Sequence, residues 1–264
     1  MHCQRTWYTT QTRMSVIRTN ALILRHTTDR EHDRMLTLLT PNGQVRVRAR
    51  GTKKSVSKLG GSLEPMTEVD MNIADGRIVG LVTGSIVLDR FAPLRRDAVG
   101  LTMGQWFLEL VEAITKPEQP AEEVYRMTLQ SLHALADDVE SSFGRRWMLL
   151  CRYALHILQH EGFAPPLDSC SVCHESLPED DCAYDPRLGF VHQREAGEGA
   201  LRFHVGTVRY LRDGVQPERE RDVFSQTHKL IEFIVHHTLD RPLKSERVLR
   251  SMIRMAKLPK PSAS

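Results

Sequence analysis

Between Pro41 and Leu63 the chain reads PNGQVRVRARGTKKSVSKLGGSL, with Arg46, Arg48, Arg50, Lys53, Lys54 and Lys58 and no acid in 23 residues. Side chains alternate along an extended strand, so the three arginines share one face while Val45, Val47 and Ala49 share the other. The guanidiniums then line up about 6.6 Å apart, twice the rise per residue. A row of like charges repels itself until water or an anion offsets it, and a phosphate chain supplies anions at regular spacing. These six residues are expected to bind nucleic acid through its backbone. A solvated strand face beside an ordinary basic loop is the competing reading, and the missing acids weigh against it. No Phe, Tyr or Trp lies between Tyr8 and Phe91. Without a platform for stacking bases, binding there is expected to be electrostatic, tolerant of sequence and steeply salt-dependent.

Cys170-Ser-Val-Cys173 has the spacing that lets two thiolates reach one tetrahedral zinc from a turn. It is half a site, with His174, Cys182 and His192 as the nearby candidates to complete it and no second CxxC. A structural zinc on Cys170, Cys173, Cys182 and His192 is one expectation; a loop carrying free thiols is the other. A second cationic region, Arg241 to Lys260, holds seven basic residues and one acid. Arg247, Arg250 and Arg254 fall at helical spacing there, opposite Val248, Leu249, Met252 and Ile253. Such a helix could touch DNA, dock an acidic peptide or face solvent.

Other candidates carry less. His156 and His160 are four residues apart without the glutamate of an HExxH motif. Cys151 sits on an apolar stripe and is expected to pack in the core. The acidic pairs Asp137-Asp138 and Asp180-Asp181 lack the carboxylate partners of a nuclease centre. With no nucleophile elbow, dinucleotide fingerprint or kinase-like set, the chain reads as non-enzymatic.

The elements that must position these residues change character once along the chain. From Ser15 to about Arg90, short apolar runs alternate with turn signals. Asn42-Gly43 joins MLTLLT (35–40) to QVRVRAR (44–50), and Asp75-Gly76 joins EVDMNIA to a long run in which Gly80 and Gly84 suggest bulges. Five strands in about 75 residues fit a small closed barrel. Beyond Ala92-Pro93 the apolar spacing becomes helical: Leu101 to Ile114, a second helix from Pro120, a third from Ser142 to His160, then 223–238 and 248–253. Residues 166–200 read as an irregular insert. The expected organisation is an extension at 1–13, a barrel at 14–92, a helical domain at 93–258 with a Cys-containing insert at about 166–200, and a tail at 259–264.

Composition agrees with this frame. The 264 residues are 41% hydrophobic and 26% charged, with a net charge of +3 and a pI near 8.6, so disorder and collagen-like readings fall away. Five cysteines with one close pair make no disulfide framework. No apolar run approaches a membrane span and the first 13 residues lack a signal-peptide core, so the expected location is cytoplasmic, associated with the nucleoid.

Several of these segments resemble the RecO family of bacterial DNA repair proteins. The resemblance is carried by ALILRHTTDREHDRMLTLLTPNGQVRVRARGTKKSVSKLGGSLEPMTEVDM, by Arg50-Gly51, by Ser57-Lys58-Leu59 ahead of LeuGluProMet, and by PPLDSCSVC and YDPRLGFV. It covers most of the chain from about Met14. It implies an α+β, two-part fold in which an N-terminal OB-fold β-barrel precedes an α-helical domain with a zinc-finger-like loop insert. It also implies a recombination mediator that binds single- and double-stranded DNA and anneals complementary strands. Such a mediator helps RecA displace single-strand-binding protein together with RecR. The family's basic strand and loop positions fall on Arg46, Arg48, Arg50, Lys53, Lys54 and Lys58. Zinc-binding members carry a second CxxC where this chain has His192 and Glu195. An RNA-binding or translation-associated module on the same barrel is the rival reading, and a nuclease is disfavoured by the missing carboxylate cluster.

Overall fold

A computed structural model describes residues 15–29, 31–52, 61–76, 79–117, 119–239 and 241–257. Lys53, Lys54 and Lys58 lie outside the described residues, as do the 1–13 extension and the 259–264 tail. Five strands form a closed barrel: β1 (Val16–Thr28), β2 (Arg34–Thr40), β3 (Gly43–Ala49), β4 (Glu68–Ala74) and β5 (Gly80–Asp89). Their order is β1-β2-β3-β5-β4, with β1 pairing both β2 and β4 and with β3 and β5 the parallel pair. That is the five-stranded barrel of an OB fold, whose β2–β3 face commonly binds oligonucleotides.

The barrel closes because β1 is long enough to serve two neighbours and breaks register between Ile23 and Arg25. The bulge turns the strand and re-aims Leu24. Ala21, Ile23, Leu36, Leu38, Val47, Ala49, Val69, Met71 and Val82 fill the interior. A second irregularity between Asn72 and Ile73 sits opposite Gly84, and a Cβ on Gly80 would come within 2.8 Å of Ile73 Cγ2, so both glycines serve the corner expected of them. The β2–β3 turn is shifted by one residue from the sequence reading: Thr40 pairs with Gly43, leaving Pro41-Asn42 as the turn. Gly43 has φ +117°, and a Cβ there would stand 2.4 Å from the carbonyl oxygen of Gln119. Its glycine is required by that approach as well as by the hairpin.

Among the described residues seven helices follow: α1 (Ala92–Arg96), α2 (Ala98–Ile114), α3 (Glu122–Asp137), α4 (Phe143–His160), α5 (Val205–Asp213), α6 (Glu220–Thr238) and α7 (Glu246–Lys257). Asp97 caps α2 by accepting from Gly100 N at 2.6 Å, and Ser142 caps α4 by accepting from Arg145 N at 3.2 Å. The insert is more ordered than its sequence suggested. It carries a small sheet, β7-β6-β8, from β6 (Cys182–Asp185), β7 (Gly189–His192) and β8 (Leu201–Arg202).

The two parts share a core. Leu22, Leu24, Leu39 and Met66 leave the barrel on its outer side and join Phe107, Leu110, Val111 and Ile114 of α2 in the main apolar cluster. The insert belongs to the same cluster through Cys170, Cys182, Phe190 and Val191. No helix among the described residues is long and apolar enough to cross a membrane.

Candidate nucleic-acid interface and metal centre

The alternation expected of β3 is present. Val47 and Ala49 are buried in the barrel with Val45 packed against them, which sends Gln44, Arg46 and Arg48 outward. Cross-strand register places Arg46 opposite Thr37, which is opposite Arg25 of β1; Arg48 lies opposite Met35. The three arginines differ in their surroundings. Arg48 is half-buried and ion-paired to Asp29 in the β1–β2 loop. Arg46 and Arg50 are exposed and have no ion-pair partner among the described residues. Asp33 accepts from the backbone N–H of Gly51 at 2.9 Å.

Of the C-terminal basic residues, Arg247 and Arg254 are exposed, whereas Arg250 is engaged. Its guanidinium donates to Glu246 at 2.6 and 2.9 Å and lies 3.0 Å from Glu232. The hydrogen bond it donates to Glu246 is the main reason its pKa is raised. Leu249 anchors α7, being 2% exposed, while Val248 faces outward at 48% rather than lying on the apolar side expected of it.

At the insert, Cys170, Cys173 and His192 place two sulphurs and a ring nitrogen all within 4.8 Å of one another. Cys170 Sγ donates to Glu195 Oε2 at 2.8 Å, and the turn from His192 to Glu195 is closed by Glu195 N donating to His192 O at 2.9 Å. His192 Nδ1 lies 2.8 Å from Asp181 Oδ2, while its buried Nε2 has no hydrogen-bond partner. A carboxylate on one ring nitrogen with the other aimed at two thiols is how metal-binding histidines are oriented. The Gln193 N–H, followed by His192, holds the Asp181 carboxyl below its usual range. Cys182, which the sequence reading placed in this set, stands outside the group. It faces His192 across β6 and β7, but the shorter side chain stays in the apolar core, where burial pushes its thiol up to about 12. His174 is exposed, also outside the group, and its N–H donates to Cys170 O at 2.9 Å.

A family model described as "Recombination protein O N terminal" matches residues 14–91, and one described as "Recombination protein O C terminal" matches residues 95–247. The chain belongs to the RecO family. A curated RecO relative, "DNA repair protein RecO" of Roseiflexus sp. (strain RS-1), is 34% identical over 174 residues, covering 66% of this chain and 60% of that protein. "DNA repair protein RecO" of Dehalococcoides mccartyi (strain ATCC BAA-2266 / KCTC 15142 / 195) is 25% identical over 248 residues, 90% of this chain and 96% of the relative. The chain thus stands among the RecO DNA repair proteins of the recombination-mediator type.

Within this RecO fold the structure brings to the Cys170, Cys173 and His192 cluster two residues that the sequence reading left out of its ligand set, Glu195 and Asp181. Glu195 was noted there only as standing, with His192, where zinc-binding members have cysteines. Asp181 had no readable signal, because its role depends on β6 and β7 lying side by side.

Proposed function

We propose that the outward face of β2 and β3 binds the phosphate backbones of single- and double-stranded DNA. There it anneals complementary strands and, with RecR, assists RecA loading on DNA coated by single-strand-binding protein, without catalysing a covalent step. The observation that carries the reading is Arg46. Its strand neighbours Val45 and Val47 face the barrel interior, so the guanidinium has neither a core nor a described carboxylate to serve. Cations held on one rigid face neutralise two backbones at once and so lower the repulsion between approaching strands. Membership in the RecO family and the OB-type strand order support the same reading. Annealing of oligonucleotides coated with single-strand-binding protein tests it. The protein should speed annealing without cutting, and Arg46→Ala with Arg50→Ala should slow it. A preference for folded RNA, or metal-dependent degradation, would overturn it.

We further propose that Cys170, Cys173, His192 and Glu195 hold one structural zinc. The donor set fits: two thiols, an orphaned buried Nε2 oriented by Asp181, and a carboxylate 2.8 Å from the Cys170 sulphur. Cys170, Cys173 and His192 lie within 4.8 Å of one another, and Glu195, outside that group but hydrogen-bonded to Cys170, would supply the fourth donor of a closed tetrahedron, the form of a structural site. The ion would tie the Cys170–Cys173 turn to the His192–Glu195 turn and so fix the insert on the helical core. Metal analysis should find zinc in the wild type and in Cys182→Ser, and none in Cys170→Ser with Cys173→Ser. Zinc absent from the wild type, or lost with Cys182→Ser alone, would contradict the assignment.

A further inference from the structure

Two stretches that are far apart in the sequence line one groove: Gln44, two residues before Arg46, and the segment that carries Arg241 and Lys244. The groove has a volume of about 990 Å³. One wall is the outer side of the barrel, with Leu24 and Arg25 of β1 and Gln44 of β3; the floor is α2; the far wall is the segment linking α6 to α7, with Leu239, Arg241, Leu243 and Lys244. Both acids on the floor have their oxygens engaged, Glu112 by a cation and Glu109 by neutral donors. Glu112 is bound in bidentate fashion by Arg25 at 2.7–3.0 Å. Glu109 accepts from Lys244 N, Ser245 N and Ser245 Oγ at 2.7–2.9 Å, acting as a cap on the approach to α7. The unclaimed charges are the side chains of Arg241 and Lys244, both exposed and without ion-pair partners among the described residues.

The groove opens onto the face of β3. Gln44, whose Nε2 donates to Glu112 O at 3.0 Å, lies two residues from Arg46 on the same side of the strand, about 6.6 Å away. Arg25 stands in the same cross-strand row as Arg46, two strand spacings or about 10 Å off. We infer that a single strand of nucleic acid lying on β3 continues into this groove, its phosphates held by Arg241 and Lys244 beside the half-buried Leu239. The inference rests on the DNA-binding reading of β3. A groove lined by cations can track a charged backbone. An acidic peptide would meet the same two cations but would gain nothing from the continuity with Arg46.

The test is the affinity of the full-length protein for oligothymidylates of about 4 to about 20 nucleotides, bracketing the site sizes of OB folds. Wild-type affinity should rise with length until a strand spans both regions. Arg241→Glu with Lys244→Glu should bind the shortest strands like the wild type, yet lose about tenfold on the longest, with the salt slope smaller by about 1.4, two contacts at about 0.7 each. Arg241→Gln with Lys244→Gln should show the same trend if the reversal perturbs folding. Equal binding by wild type and both variants at every length would overturn the inference while leaving the β3 reading intact. So would variants that lose only an Asp-rich peptide. A wild type that binds no strand at all would end both.

Discussion

Arg25 and Arg46 stand in one cross-strand row on the outside of one barrel, and they are used in opposite ways. On the β1 side the neighbours are Leu22 and Leu24, which α2 covers, and Glu112 of that helix takes the Arg25 guanidinium. On the β3 side Gln44 touches the end of α2, and two residues on, Arg46 is exposed among the described residues. One face has become an interior seam and the other is left for a ligand. The contrast teaches that a count of cations locates nothing by itself, because the nearest carboxylate decides whether a charge is structural or available.

The largest expected effect tests the seam. Leu22→Ala should cost about 2–5 kcal/mol of stability, seen as a lower denaturant midpoint, because a fully buried side chain shared by barrel and α2 is replaced by a cavity. A midpoint shared with the wild type would mean that the two parts do not depend on this contact. Next comes the exposed face: Arg46→Glu should leave the midpoint unchanged and weaken single-strand binding by about tenfold at low salt. A variant that unfolds earlier but still binds would reverse the assignment of roles.

A subtler variant sharpens the comparison by turning one face towards the other. Glu112→Gln removes the negative partner of Arg25, whose pKa is raised chiefly by that hydrogen bond. The freed cation should raise single-strand affinity a few-fold and steepen the salt slope by about 0.7. The exposed part of the pair means a stability loss of no more than about 1 kcal/mol. Unchanged binding in titrations at two salts would show that Arg25 is too far from the strand to help.

The smallest effect concerns α7, where Arg250 repeats the fate of Arg25. Burial works against ionisation of Glu246, but hydrogen bonds from Arg250 and His236 outweigh it and hold the carboxyl below its usual range. A depressed folded-state pKa gives stability that is present above the unfolded value, near 4.3, and is lost as pH falls through the folded one. Wild type should therefore melt slightly above Glu246→Gln at pH 7, by under about 1 kcal/mol, and the gap should close in acid. A gap that persists at pH 2 would contradict this account of the clip.

The barrel was legible because its residues obey period two. Val45, Val47 and Ala49 read as inward and are inward, and Gly80 and Gly84 mark real corners. Pro41 defeated the turn assignment: its fixed φ suits the first turn position and moves Gly43 into the strand. Strands β6, β7 and β8, of two to four residues, are too short to show a period. Helix α5 went unread for a related reason. Its nine residues bury only Thr207, Val208, Tyr210 and Leu211, fewer than two turns of apolar stripe. The engagement of Arg25 was equally hidden, since Glu112 reaches it only through tertiary packing, whereas that of Arg250 was half legible: Glu246 stands four residues before it on the same helix, and only Glu232 comes from another element. Chemistry carried by local spacing could be read, as with Cys170 and Cys173, whereas partners supplied by a neighbouring element could not.

The central claim is that the free charge on β3 holds a phosphate backbone. Its most direct measure is the slope of log affinity against log salt for single-stranded DNA, compared between wild type and Arg46→Ala with Arg50→Ala. The account predicts a steep wild-type slope that falls by about 1.4 in the double variant, two contacts of about 0.7 each, with no change in thermal stability. A wild-type affinity that hardly responds to salt, or a slope the two substitutions leave untouched, would contradict it.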